Sequence, residues 1–280
     1  MKILFVSDFT LKQRKGGAQV SNQIIIEQGR SLGHEIIEHH YSSSITDFLS
    51  SYDLVIHSNL ELINKTNPAK IEFLKNVPEK VRLEHDSCSY LDTRTRAHIF
   101  TSSKKNFFLS KFHHSFFKDL YGDYFTNVEI VYDPIDTKIF NKDDTEKIYD
   151  IVYCGYLHPL KGLDNLKAFA QKNEDRKISV FGWSDGDCSN FFNGMENVEY
   201  LGLKSHEEIA QVFKQSKALY HSPIVNEPFC RMVGEALLCG VEEIVGDVNK
   251  IGSYLEFQEV GYDEFKQRCE TAASNFWSKI

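Results

Sequence analysis

The spacing of apolar residues constrains this chain more than any other feature. Short runs rich in β-branched and aromatic residues alternate with stretches of helical periodicity, the signature of an α/β protein with parallel sheets. Lys2–Ser7 is an apolar run suited to a buried strand. A polar loop with Gly16-Gly17 follows, then a helix through Ile24, Ile25 and Leu32. Gly33 is placed to end that helix, because glycine tolerates the left-handed conformation found there. Further strands are predicted at Glu35–His39, Asp53–His57, Val81–Glu84, His98–Thr101 and Val128–Tyr132.

The pattern then restarts. A polar run at 141–147 reads as a linker, and Ile151–Gly155 begins a new set of strands. A helix follows through Leu163, Leu166 and Phe169. Strands are predicted at Ile178–Gly182, Val198–Leu203, Ala218–Ser222 and Val241–Val245. Ser205 and Glu208 form a capping box, which opens a helix. Arg231–Cys239 is a further helix, closed by Gly240. Two domains are therefore expected, residues 1–144 and 145–264, with a C-terminal helix at 265–280. Ligands of such units sit at the carboxyl ends of the strands, so a cleft between the two domains is the default site.

Composition excludes several classes. The net charge of −8 speaks against a general nucleic-acid binder, which needs a basic excess. The charge is also uneven: residues 1–140 hold 17 basic and 17 acidic side chains, whereas residues 141–280 hold 15 and 23. No apolar run approaches the ~20 residues that span a bilayer. Asp8 comes too early for a signal peptide, so a cytoplasmic protein is expected. The six cysteines form no C-x-x-C pair and are read as reduced thiols. The adjacent pairs His39-His40 and His113-His114 lack helical zinc spacing, and no metal is expected.

The strongest chemical signal lies at 226–240, Asn-Glu-Pro-Phe-Cys-Arg-Met-Val-Gly-Glu-Ala-Leu-Leu-Cys-Gly. Glu227 precedes the helix and Glu235 falls within its first two turns, eight positions on. Between them lie the free N–H groups of a helix N-terminus, a natural phosphate site. Two carboxylates flanking such a site suit a ligand with sugar and ribose hydroxyls on either side of a diphosphate. The competing reading is a surface helix with two solvated glutamates.

The segment Glu-Pro-Phe-x-Arg-x-x-x-Glu-Ala-Leu-x-x-Gly resembles the donor-binding motif of family 4 glycosyltransferases. Three more stretches are similar to that family, in the family's order. They are the glycine loop at Gly16-Gly17, the segment 131–140 leading into the linker, and the strand, turn and helix from Tyr153 through Gly155 to Lys161 and Gly162. The resemblance implies a GT-B architecture, two Rossmann-like domains with parallel sheets facing an interdomain cleft. It implies a retaining enzyme that moves a sugar from a nucleoside diphosphate sugar, with no tightly bound cofactor. In that family's pattern Glu227 contacts the donor sugar, Glu235 the ribose and Lys161 the diphosphate. Gly16, Gly17, Gly155, Phe229, Cys230 and Arg231 complete the donor contacts. A lysine beside a helix start physically suits a departing diphosphate. The final helix would cross back to the first domain.

One position departs from the pattern. The family places an arginine after the glycine of this strand, and here it is Tyr156. Arg231 is a candidate to compensate. Tyr156 also sustains the rival reading, a non-catalytic sugar-nucleotide-binding or scaffold protein. A GT-B-like sugar-nucleotide epimerase is a further alternative.

Glu84-His85-Asp86 follows a first-domain strand, and the resemblance assigns His85 to the reacting centre; the competing reading is a structural turn. Residues 93–118 hold six lysines and arginines, six phenylalanines and one leucine interleaved with them, and no acid. They read either as an acceptor face near an anionic lipid-linked substrate or membrane surface, or as a strand and helix whose phenylalanines are core. The acceptor itself is unspecified: a glycan, a lipid-linked sugar or a small molecule.

Overall fold

The computed structural model describes residues 1–14, 16–58, 67–87, 93–122, 127–184, 186, 188 and 190–280. Two units emerge: Met1–Pro134 with Glu270–Ile280, and Ile135–Cys269. Each is built on a parallel sheet, an α/β architecture.

The first unit carries β1 (Lys2–Val6), β2 (Glu35–His39), β3 (Leu54–His57), β4 (Lys80–Leu83), β5 (Lys105–Phe108) and β6 (Val128–Ile130). They pair in the order β2-β1-β3-β4-β5-β6, all parallel. The central strands are apolar on both faces because both faces are covered: Ile3, Leu4, Phe5, Val6, Val55 and Ile56 are buried. Helix α1 (Gly17–Ser31) follows β1 directly, and Gly33, at φ 84°, turns the chain into β2.

Helices α2 (Pro68–Asn76), α3 (Thr93–Ser102) and α4 (Lys111–Tyr121) connect the later strands. The strand predicted at His98–Thr101 is instead part of α3. Ile99 is buried against the Leu4–Val55 core, and the hydroxyls of Thr101, Ser102 and Ser103 bond back to carbonyls of His98 and Ile99, ending the helix. A short Ile-Phe run cannot by itself distinguish a strand from one buried helical turn. The strand lies four residues after that run, at Lys105–Phe108, where Phe107 and Phe108 are fully buried. Leu109 and Phe117 are buried too, so the phenylalanine-rich stretch supplies core.

The second unit holds β7 (Tyr149–Tyr156), β8 (Ile178–Trp183), β9 (Val198–Gly202), β10 (Ser216–Tyr220) and β11 (Glu243–Val245). Their order is β11-β10-β7-β8-β9, again parallel. Helices α5 (Leu163–Lys172), α6 (His206–Lys214) and α7 (Arg231–Leu238) alternate with them. The capping box at Ser205 and Glu208 is formed in both directions. Residues 135–144, read from sequence as the end of the first domain, group with this unit. Phe140 is buried beside His206, and Lys214 reaches Asn141 and Asp143.

The chain end forms two helices, α8 (Gly252–Glu270) and α9 (Ala272–Ser278), broken at Thr271. The sequence reading had one helix over 265–280. Residues 270–280 group with the first unit. There Trp277 Nε1 donates to the Ile25 carbonyl of α1 at 2.8 Å, and Phe276 packs on Phe107 with ring centroids 4.6 Å apart.

Candidate active site

Two polar clusters lie at strand carboxyl ends, one in each unit. In the second unit, β7 ends at Gly155 and Tyr156, and a 3-10 turn, Pro159–Lys161, leads into α5. The His158 side chain caps that turn by accepting from the Leu160 N–H at 3.2 Å. Gly162 follows with φ 82°, and a Cβ there would stand 2.0 Å from the Ser222 carbonyl oxygen. Only glycine allows that approach. It brings the Lys161 turn against the loop after β10, where the Asn165 side chain also donates to Ser222 O and the Ile224 N–H to Leu160 O.

Glu227 is fixed through its backbone. Its N–H donates to Lys250 O at 2.8 Å, and its carbonyl accepts from the Gly252 N–H at 3.0 Å. The side chain meets Lys161, with Nζ to Oε1 at 2.6 Å. Burial pushes the Glu227 carboxyl upward, but the charge and hydrogen bond of Lys161, with a further pull from His221 once that ring is protonated, outweigh it and hold the group below its usual range. His221, at the end of β10, puts Nε2 3.9 Å from Glu227 Oε1 and 3.3 Å from Cys230 Sγ. Burial, aided by Lys161 and opposed by Glu227, pushes its pKa down to about 4, so the ring is neutral near pH 7. Burial also raises the Cys230 thiol well above its ordinary value.

Cys230 precedes α7 with φ 68°, a left-handed conformation that side chains other than glycine seldom adopt. Arg231 and Glu235 then pair one turn apart at 3.1 Å, with both side chains 9% exposed. The surface-helix reading of the two glutamates therefore fails: Glu227 and Glu235 are each 7% exposed. The Phe229 side chain is core, stacked on Phe265 at 5.9 Å and 3°, which leaves only its backbone for a ligand.

Tyr156 stands among aromatic rings. It stacks on His158 at 5.1 Å and 11° and lies 4.5 Å from Trp183.

In the first unit, Gly16 is the N-cap of α1 and Gly17 its first residue. A Cβ on Gly16 would meet Gln19 Oε1 at 2.4 Å. His85, just past β4, is buried, with Nε2 3.0 Å from Asn22 Oδ1 and Nδ1 3.7 Å from Asp133 Oδ1. Burial lowers its pKa against the pull of Asp133, Asp86 and Glu84. The Nε2–H donates to Asn22, which leaves Nδ1 as an acceptor facing a carboxylate oxygen. That Asp133 Oδ1 is buried and has no hydrogen-bond partner among the described residues.

The turn itself is braced. Arg82 donates to Glu84 Oε2 at 2.7 and 3.2 Å, the Asp86 N–H donates to Glu84 Oε1, and His113 Nε2 lies 3.3 Å from the Asp86 carbonyl. His39 turns to Asp47 at 2.8 Å, and His40 lies beside Gln13 and Ser42.

The sequence reading missed His221, Asn22 and Asp133 as members of these clusters. His221 is a lone histidine at a strand end and carries no motif. Asp133 was within a quoted segment, but only the fold turns it toward His85.

Residues 134–263 match the model of the family described as glycosyl transferases group 1, nearly the span of the second unit. Just under half of the chain, almost all of it in the second unit, thus matches a glycosyltransferase family model. Solved structures of similar fold include AviGT4, described as a glycosyltransferase involved in avilamycin A biosynthesis. It is 16% identical, with a TM-score of 0.63 over 100% of this chain and 96% of that one. HepE of Anabaena, in complex with UDP-glucose, is 18% identical with a TM-score of 0.67 over 99% and 94%. Sucrose-phosphate synthase from Thermosynechococcus elongatus is 13% identical with a TM-score of 0.68 over 100% and 94%. No curated protein matches the sequence.

Proposed function

We propose that this chain is a glycosyltransferase of the family 4 type and transfers a sugar from a nucleoside diphosphate sugar with retention at the anomeric carbon. The carrying observation is the convergence of Lys161, Glu227, Arg231 and Glu235 at one end of the second sheet, with the two carboxylates buried and paired to the two cations. In this reading Lys161 and the backbone N–H groups at the start of α7 take the diphosphate charge as the leaving group departs. Glu227 accepts from sugar hydroxyls and Glu235 from the ribose. Gly155, Gly16 and Gly17 give the backbone room near the donor. Each ion pair is then a stand-in: a bound donor draws Lys161 and Arg231 onto phosphate oxygens and frees the carboxylates for hydroxyls.

His85 is given the task of orienting a sugar hydroxyl, supported by the unpartnered acceptor on Asp133 beside it. No protein nucleophile is assigned, so the acceptor attacks the anomeric carbon on the face the nucleotide leaves. The donor is a UDP-sugar by analogy with HepE, which was solved with UDP-glucose. The acceptor docks on the first unit, and the lysines of residues 93–118 suit an anionic one, lipid-linked or at a membrane surface. Among the described residues no helix is long and apolar enough to cross a membrane. A cytoplasmic, membrane-peripheral location follows from the same reading.

Tyr156 favours a second reading, a site that binds the donor without turning it over. Product detection with a panel of UDP-, GDP-, ADP- and CMP-sugars separates the two. Transfer or donor hydrolysis that both Lys161→Ala and Glu227→Ala abolish supports the proposal, and unchanged turnover in both variants refutes it. Retention is checked by the anomeric configuration of the first-formed product.

A further inference from the structure

The second unit brings an imidazole, a carboxylate and a thiol to one point. Ligand atoms of His221, Glu227 and Cys230 all lie within 4.8 Å of one another. Cys230 Sγ lies 3.3 Å from His221 Nε2, which lies 3.9 Å from Glu227 Oε1. A tetrahedral zinc ion, with bonds of about 2.0–2.3 Å, holds such ligands about 3.4–3.6 Å apart. The first two distances lie within about 0.5 Å of that spacing, and the third is no longer than 4.8 Å.

Three further observations point to a cation here. His221 Nε2 lies within hydrogen-bonding distance of the Cys230 thiol and beside a carboxylate oxygen. One cation already serves the spot, because Lys161 Nζ sits 2.6 Å from Glu227 Oε1. And Cys230 carries its side chain at φ 68°, where a β-carbon is resisted.

We infer that His221, Glu227 and Cys230 form a binding site for a thiophilic divalent cation of the zinc class, in competition with the Lys161 ammonium. A thiolate with an imidazole selects such ions over magnesium or calcium. On binding, the Cys230 thiol proton leaves to solvent and Lys161 leaves Glu227. Thiolate and carboxylate then balance the two charges of the ion. Three protein ligands leave a fourth position open to water. The groups facing the spot besides these are Lys161, Glu235 and Tyr153, whose hydroxyl donates to the Tyr156 carbonyl. If the donor reading above holds, metal and donor exclude one another, since both claim Glu227.

The test uses cobalt(II) alone, without any donor, so its outcome is independent of the donor reading. The full chain is titrated and a thiolate-to-cobalt charge-transfer band is followed in the near ultraviolet. The expected result is one cobalt per chain, the band lost in both Cys230→Ser and Cys230→Gly, and affinity weakened about tenfold or more in His221→Gln. Lys161→Met should tighten binding, because the competing cation is gone. Cys230→Gly suits φ 68° and guards against misfolding of the serine variant, and thermal melting without metal checks both. Absence of the band in the parent chain, its survival in Cys230→Gly, or weaker binding in Lys161→Met overturns the proposal.

Discussion

His221 makes the second unit acid-sensitive, and the size of the effect can be worked out. Burial lowers its pKa from 6.5 to about 4 in the folded state. Between those values the unfolded chain binds a proton that the folded chain refuses. The stabilisation is therefore fully present above the unfolded pKa and is lost as pH falls toward the folded one. One pKa unit is about 1.4 kcal/mol, so the whole span is worth about 3 kcal/mol, and about 2 kcal/mol of it is gone by about pH 5.

The neighbouring Glu227 does not mask this, because its own pKa is held below the usual range and it stays charged through the window. His221→Gln removes the titration while keeping a polar side chain of similar reach. Hydrogen–deuterium exchange in β10, compared between parent and variant at the same pH, cancels the intrinsic exchange rates. The parent should lose about 2 kcal/mol of protection more than the variant on going from about pH 7.5 to about pH 5. A difference below about 0.5 kcal/mol would refute the buried, neutral imidazole.

Other consequences follow from particular contacts. Gly162→Ala places a Cβ 2.0 Å from the Ser222 carbonyl oxygen at φ 82°; a loss of about 2 kcal/mol or more is expected by urea unfolding, with donor binding impaired as the Lys161 turn shifts. Gly29→Ala drives a Cβ to 2.2 Å from the Trp277 ring; a loss of about 1–3 kcal/mol and quenching or shift of Trp277 fluorescence should follow. Trp277→Ala empties the same contact and costs about 3–5 kcal/mol, read as a fall in melting temperature. Glu84→Gln leaves the Arg82 guanidinium buried without its carboxylate; about 3–5 kcal/mol is lost from the first unit, as judged by exchange in β4 and β5.

The local signals proved strong where one short segment decided the outcome. The apolar run at 2–6, the capping box at Ser205 and the glycine after α1 each settle their element through neighbouring residues alone. The two-unit α/β organisation follows from the alternation of such segments. The failure at His98–Thr101 has the opposite character. Ile99 is apolar in either a strand or a helix, and only the core formed by Leu4, Val55 and Leu74 makes it a helical contact.

The candidate site divides in the same way. Glu227, Glu235, Lys161 and His85 were legible because spacing and family resemblance mark them. Sequence could not reveal that the two glutamates are buried, since burial depends on what packs over them. Nor could it pair Lys161 with Glu227, 66 positions apart, or Arg231 with Glu235 out of solvent.

The linear order of residues thus determined the fold class and the chemistry available: two carboxylates, a lysine and a histidine at the ends of predicted strands. Tertiary structure alone decided which groups share a charge environment. His221 joins Glu227 and Cys230 because the loop after β10 folds back before α7, pinned through the Glu227 backbone to Lys250 and Gly252. Coulombic and desolvation effects depend on distances through space, and a sequence encodes those only through its fold.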